Sequence, residues 1–200
     1  MRTITVIGRG SASAAPDTVD LSVGVRVRAR TASAALSDAT ERQRLLIEAV
    51  RATGVPPTDM QTRLMSCQAT TDDRGQRVTG YEVSSMVEVR SRDVAGAGAL
   101  IDLVVRAGGD ATVVHGVSFS LRDPTLLADH ARAAAFDDAL RKADQHALRA
   151  GVVRGAVQSI DESAPQGGGV PMFRTAAAMP LESGETTVHE TLSVVFAIDY

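Results

Sequence analysis

Apolar and polar side chains alternate strictly early in the chain. In VDLSVGVRVRAR, Val19, Leu21, Val23, Val25 and Val27 point one way, while Asp20, Ser22, Gly24, Arg26 and Arg28 point the other. A period of two residues marks a half-buried strand. The stretch before it, VIGRGSASAAPD at 6–17, reads as a strand carrying Gly8 and Gly10, with Pro16-Asp17 as a turn. The two segments are expected to form a first hairpin. A dinucleotide-binding turn would need a third glycine three residues after Gly10 and a helix behind it. Ser13 stands at that position and a strand pattern follows, so no helix dipole is offered to a phosphate. Gly8 and Gly10 are expected instead to permit a bulge or a close approach to neighbouring backbone.

The period then lengthens. From Thr31 to Gly54, Ala35, Ala39, Leu46 and Val50 fall on roughly one face of a helix that Thr31 can cap and that Gly54 with Pro56-Pro57 ends. Strands are predicted around 60–71 and 77–91, joined by Asp72-Asp73-Arg74-Gly75. In the second, Tyr81, Val83, Val87 and Val89 oppose Glu82, Ser84, Glu88 and Arg90. A short helix is expected from Asp93 to Ala107. Next comes a strand with Val113, His115, Val117, Phe119 and Leu121 in its apolar register. A long helix follows Asp123-Pro124 and runs to Ala150-Gly151; its alanines at 131, 135, 139, 143 and 147 form a stripe of small side chains suited to close packing on a sheet. Strands at about 153–163 and 186–199 complete the pattern.

The resulting order, β-β-α-β-β-α-β-α-β-β, predicts an α+β fold with a largely antiparallel sheet and helices packed on one face. With 200 residues, one domain over 1–200 is expected, interrupted by a long loop at about 164–184. That loop holds Met172, Phe173, Met179 and Leu181, apolar side chains that are costly to leave in water and are therefore candidates for an oligomer contact.

Composition narrows the functional classes. The net charge of -3 argues against a nucleic-acid binder, and the polar strand faces carry no aromatic side chains on which bases could stack. No apolar run approaches the roughly 20 residues of a membrane helix. The opening residues lack the apolar core of a signal peptide, so the chain as given is expected in the cytoplasm, or in the periplasm if an upstream signal was removed. Cys67 is the single cysteine, which excludes an internal disulfide and a cysteine-based zinc site. Buried packing beside Met60, Met65 and Met86 is its expected role.

No catalytic constellation emerges. His130 and His146 are 16 residues apart on one helix, about 160° apart in projection. His115 reads as a core or rim residue and His189 as solvated. Asp72-Asp73 and Asp137-Asp138 are adjacent, which sends their carboxylates in different directions. No serine sits in a nucleophile elbow. Neither a catalytic residue nor a cofactor or metal site is predicted.

Gly8-x-Gly10 with Pro16-Asp17, Thr31-Ala32, Gly54-Val55, Asp59 with Gln61-Thr62, and Gly80-Tyr81 follow one another in an order that resembles the SIMPL domain family. The series continues with Gly116-Val117-Ser118-Phe119, Leu121 with Asp123-Pro124, Lys142-Ala143, Gly151-Val152 and Gly184-Glu185. The resemblance implies an α+β fold, ring-like or other homo-oligomers, and relatives that are often exported and linked to oxidative-stress defence; it implies no catalytic residues. Between Gln61-Thr62 and Gly80-Tyr81 the chain departs from the family's proline- and tyrosine-rich hairpin. The expected function is that of a non-enzymatic, self-associating protein acting through its surfaces in stress response or the cell envelope. The alternative is a small-molecule binder or enzyme with a cleft near the 164–184 loop or on the polar sheet face.

Overall fold

The computed structural model describes residues 2–72, 74–162 and 182–199. The elements are β1 (Thr3–Ala14), β2 (Thr18–Ala29), α1 (Ala32–Ala52), β3 (Met60–Thr71), β4 (Val78–Ser91), α2 (Ala97–Gly108), β5 (Thr112–Ser120), α3 (Thr125–Ala150), β6 (Val153–Glu162) and β7 (Thr186–Asp199). This is the order the periodicity predicts, and every strand pairing is antiparallel. The strands form two sheets, β1-β7-β6 and β3-β4-β2-β5. They belong to two compact units, one holding β1, α3, β6 and β7, the other β2, α1, β3, β4, α2 and β5.

The expected first hairpin does not form. β2 lies between β4 and β5, so both of its edges are occupied, while β1 pairs along its whole length with β7. Residues 15–17 therefore join two sheets rather than turn within one. Local alternation identifies a strand but carries no information about which partner its edge will meet.

In the first unit, α3 lies on β1 and β7. Its five periodic alanines are all buried, and Ala135, Ala139 and Ala143 form a core with Val6, Leu192, Val194 and Phe196. Small side chains let the helix approach closely, and β1 answers with glycine. A Cβ on Gly8 would stand 2.0 Å from the Ala135 carbonyl oxygen, and one on Gly10 2.1 Å from that of Ala131. Gly8 and Gly10 are thus close-approach residues, as the sequence implies. The outer edge of β1 is also closed by α3: Arg9 N–H donates to Asp138 Oδ2 at 3.0 Å, and Lys142 Nζ donates to the Ile7 carbonyl at 2.7 Å. Nearer the C-terminal end of α3, Arg154 pairs with Asp144 at 2.5 Å and lies 5.2 Å over the Phe196 ring.

In the second unit, α1 and α2 cover one face of the four-stranded sheet. Val23, Val25, Val83, Val87 and Val89 meet Ala35, Ala39, Leu46 and Val50 of α1 and Leu100 and Val104 of α2 in one buried cluster. Thr31 Oγ1 accepts from Ala34 N–H at 3.2 Å and fixes the start of α1. The helices leave most of edge strand β3 uncovered: Met65, paired with the buried Ser85, is 58% exposed.

Candidate functional site

The face of the four-stranded sheet turned away from its helices carries the polar half of each alternating strand. Asp20, Ser22, Arg26 and Arg28 come from β2, and Glu82, Ser84, Met86, Glu88 and Arg90 from β4. The registers Asp20↔Arg90 and Arg28↔Glu82 place opposite charges side by side. Arg90 Nε donates to Asp20 Oδ1 at 2.7 Å, and Ser120 Oγ donates to the other Asp20 oxygen at 2.7 Å. The hydrogen bond to the Asp20 carboxylate raises the Arg90 pKa further above its usual value. Arg63 Nε donates to Glu88 at 3.2 Å. Farther along, Glu82 lies 2.6 Å from Arg28 and 3.8 Å from Arg26.

Two bulges, one in each outer strand, shape the middle of this face, and a third register shift lies at the Thr70–Thr71 end of β3. In β5 the register passes from Ser22↔Gly116 to Val23↔Val114, leaving His115 as the extra residue. In β3 it passes from Thr62↔Val87 to Leu64↔Met86, leaving Arg63 unpaired. Bulges bend a strand and re-aim side chains. Here they bring Leu64 and His115 to a shallow depression of about 210 Å³ over the middle of the sheet, where Arg26, Ser66, Gln68, Ser84 and Met86 also lie. Beside it β2 and β4 approach closely at Gly24, whose Cβ would stand 1.9 Å from the Ser85 carbonyl oxygen.

His115 is consequently exposed, not a core or rim residue. Strict alternation puts it in the apolar register, and the extra residue at the bulge takes it out. Cys67 is exposed as well, contrary to the expected buried packing, because α1 and α2 do not extend over that part of β3. His130, His146 and His189 are all exposed, and among the described residues no group of three His, Cys, Asp or Glu side chains is placed to hold a metal ion. Ser118 and Ser120 belong to the same sheet as Asp20 and Arg90, whereas Thr191 and Ser193 belong to the other sheet. Met172, Phe173, Met179 and Leu181, the expected oligomer contacts, lie outside the described residues, as does most of the 164–184 loop. Leu64, Ser66, Gln68 and Met86 were not legible as site residues. Nothing in a single strand's period reveals the two bulges that gather them.

No helix among the described residues is long and apolar enough to cross a membrane. The chain is similar to the 26 kDa periplasmic immunogenic protein of Brucella melitensis, with 31% identity across 98% of this chain and 84% of that protein. The Brucella abortus protein of the same name matches with the same identity and coverage. The uncharacterized protein YggE of Escherichia coli is 28% identical across 92% of this chain and 75% of its own length. Residues 4–196, spanning elements of both compact units, match the family model described as SIMPL, protein of unknown function (DUF541), and the chain belongs to that family.

Proposed function

We propose that this protein is a non-enzymatic, self-associating protein of the bacterial cell envelope that acts through its surfaces, with a role in stress response. The observation that carries self-association is the edge strand β6. Val153, Val157 and Ile160 on it are 63%, 39% and 51% exposed, and its outer edge has no partner strand among the described residues. An unprotected edge of this kind is a template for pairing with a second chain. Burying three such side chains contributes about 1.5–3 kcal/mol each when burial is complete. The envelope location is supported by the Brucella relatives, whose name calls them periplasmic. Met172, Phe173, Met179 and Leu181 remain the proposed further contacts on sequence grounds.

Light scattering and sedimentation of the purified protein over a hundredfold concentration range test the assembly. Concentration-dependent oligomers that are weakened by Ile160→Lys support it. A strict monomer at the highest concentration overturns it.

A further inference from the structure

Along the open face of the four-stranded sheet, charges are matched one to one at one end and unmatched at the other. Asp20 pairs with Arg90, and Glu88 pairs with Arg63. Glu82, in contrast, is shared by two guanidiniums, and Arg28 takes the short contact at 2.6 Å. Among the described residues Arg26 is left with a single ion pair at 3.8 Å, so two guanidiniums share one carboxylate beside the depression that Arg26 lines. Beside it stand Ser66 and Ser84, and at the far end of the depression His115, none of them with a side-chain partner among the described residues. The opposite wall is apolar, formed by Leu64, Met86 and Val113. Both walls depend on the bulges that place Leu64 and His115 on this face.

We propose that this depression binds a small organic carboxylate, its charged end against Arg26 and the Ser66 and Ser84 hydroxyls and its hydrocarbon body across Leu64, Met86 and Val113 toward His115. A guanidinium presents a planar fork that fits a carboxylate through two parallel hydrogen bonds, and each serine hydroxyl supplies one O–H donor. Two guanidiniums sharing one carboxylate suit a monoanion; a dianionic phosphate would meet the Glu82 carboxylate and leave the apolar wall unused. The volume of about 210 Å³ falls below the roughly 300–1,000 Å³ of drug-sized sites, which confines the ligand to a few carbons.

The test is an NMR titration of the intact protein with butyrate, with butyramide and inorganic phosphate as controls. Butyrate is expected to produce saturable amide shifts centred on Arg26, Leu64, Ser84 and His115, with a dissociation constant of about 1–10 mM for so small a ligand. Arg26→Gln should weaken binding by about tenfold or more, and His115→Ala and Leu64→Gln each severalfold, in proteins whose spectra otherwise keep the wild-type dispersion. Arg26→Lys keeps the charge without the fork and should fall between Arg26→Gln and wild type. The proposal is overturned if butyramide or phosphate binds as tightly as butyrate, if the shifts centre elsewhere, or if Arg26→Gln and His115→Ala both leave the affinity intact.

Discussion

The carbonyl oxygen of Ala135 occupies the space next to Gly8, 2.0 Å from the point where a Cβ on that glycine would lie. Real Cβ atoms do not come so close to backbone, and on Gly8 the obstruction is the helix itself rather than a movable side chain. Gly8→Ala is therefore expected to force α3 away from β1 and to cost about 3 kcal/mol, the upper end of ordinary overpacking. Gly116→Ala is the matched control, because nothing stands within 4 Å of its Cβ position, and it should change stability by less than about 0.5 kcal/mol. Urea denaturation measures both. Equal midpoints for the two variants would contradict the close approach.

Asp138 ties the same helix to the same strand. Its carboxyl is held down to about 2, first by the hydrogen bond from Lys142 and then by that from the Arg9 backbone N–H. An unfolded aspartate titrates near 3.9, so the folded protein holds the deprotonated form more strongly than the unfolded chain does. The resulting stabilisation is complete above about pH 5 and is lost as the pH falls toward 2. Asp138→Asn should lower stability at pH 7 by about 1 kcal/mol, and its deficit relative to wild type should shrink steadily as the pH falls toward 2. A deficit independent of pH between 6 and 2, read from thermal midpoints, would show that the ionised carboxylate is not what holds the edge of β1.

Cys67 is exposed on β3 and should behave as an accessible thiol. The native protein is expected to react with about one equivalent of a disulfide reagent per chain without denaturant. Cys67→Ser should shift stability by less than about 0.5 kcal/mol, as an exposed substitution does. A thiol that reacts only after unfolding would restore the buried role that its methionine-rich surroundings suggest.

Thr31 starts α1 by accepting from Ala34 N–H. Thr31→Ala leaves that donor without its side-chain acceptor and should cost about 1 kcal/mol. Thr31→Ser should restore most of the loss, and a calorimetric comparison of the three proteins distinguishes the cap from side-chain packing.

Much of the fold was legible because local periodicity has a local cause. The five alanines of α3 fall every fourth residue and all five are buried; Val19, Leu21, Val23, Val25 and Val27 alternate and all five are buried. The pairing of strands was less accessible. β1 and β2 are neighbours in sequence with a plausible turn between them, yet each finds its partners far along the chain. The sheet-face site was half legible. Asp20, Arg26, Arg28, Glu88 and Arg90 follow from alternation, while His115 and Leu64 depend on bulges.

By itself, then, the order of residues determined the kinds of element, their sequence, and the buried faces of β2 and α3, since each is set by side chains a few residues apart. Only the tertiary structure decided that the strands divide between two sheets, that His115 turns onto the polar face, that Cys67 is exposed, and that Arg26 shares Glu82 with Arg28. Each of these depends on which strand supplies the neighbouring edge and at what register, and a one-residue change in register moves a side chain from one face of a sheet to the other.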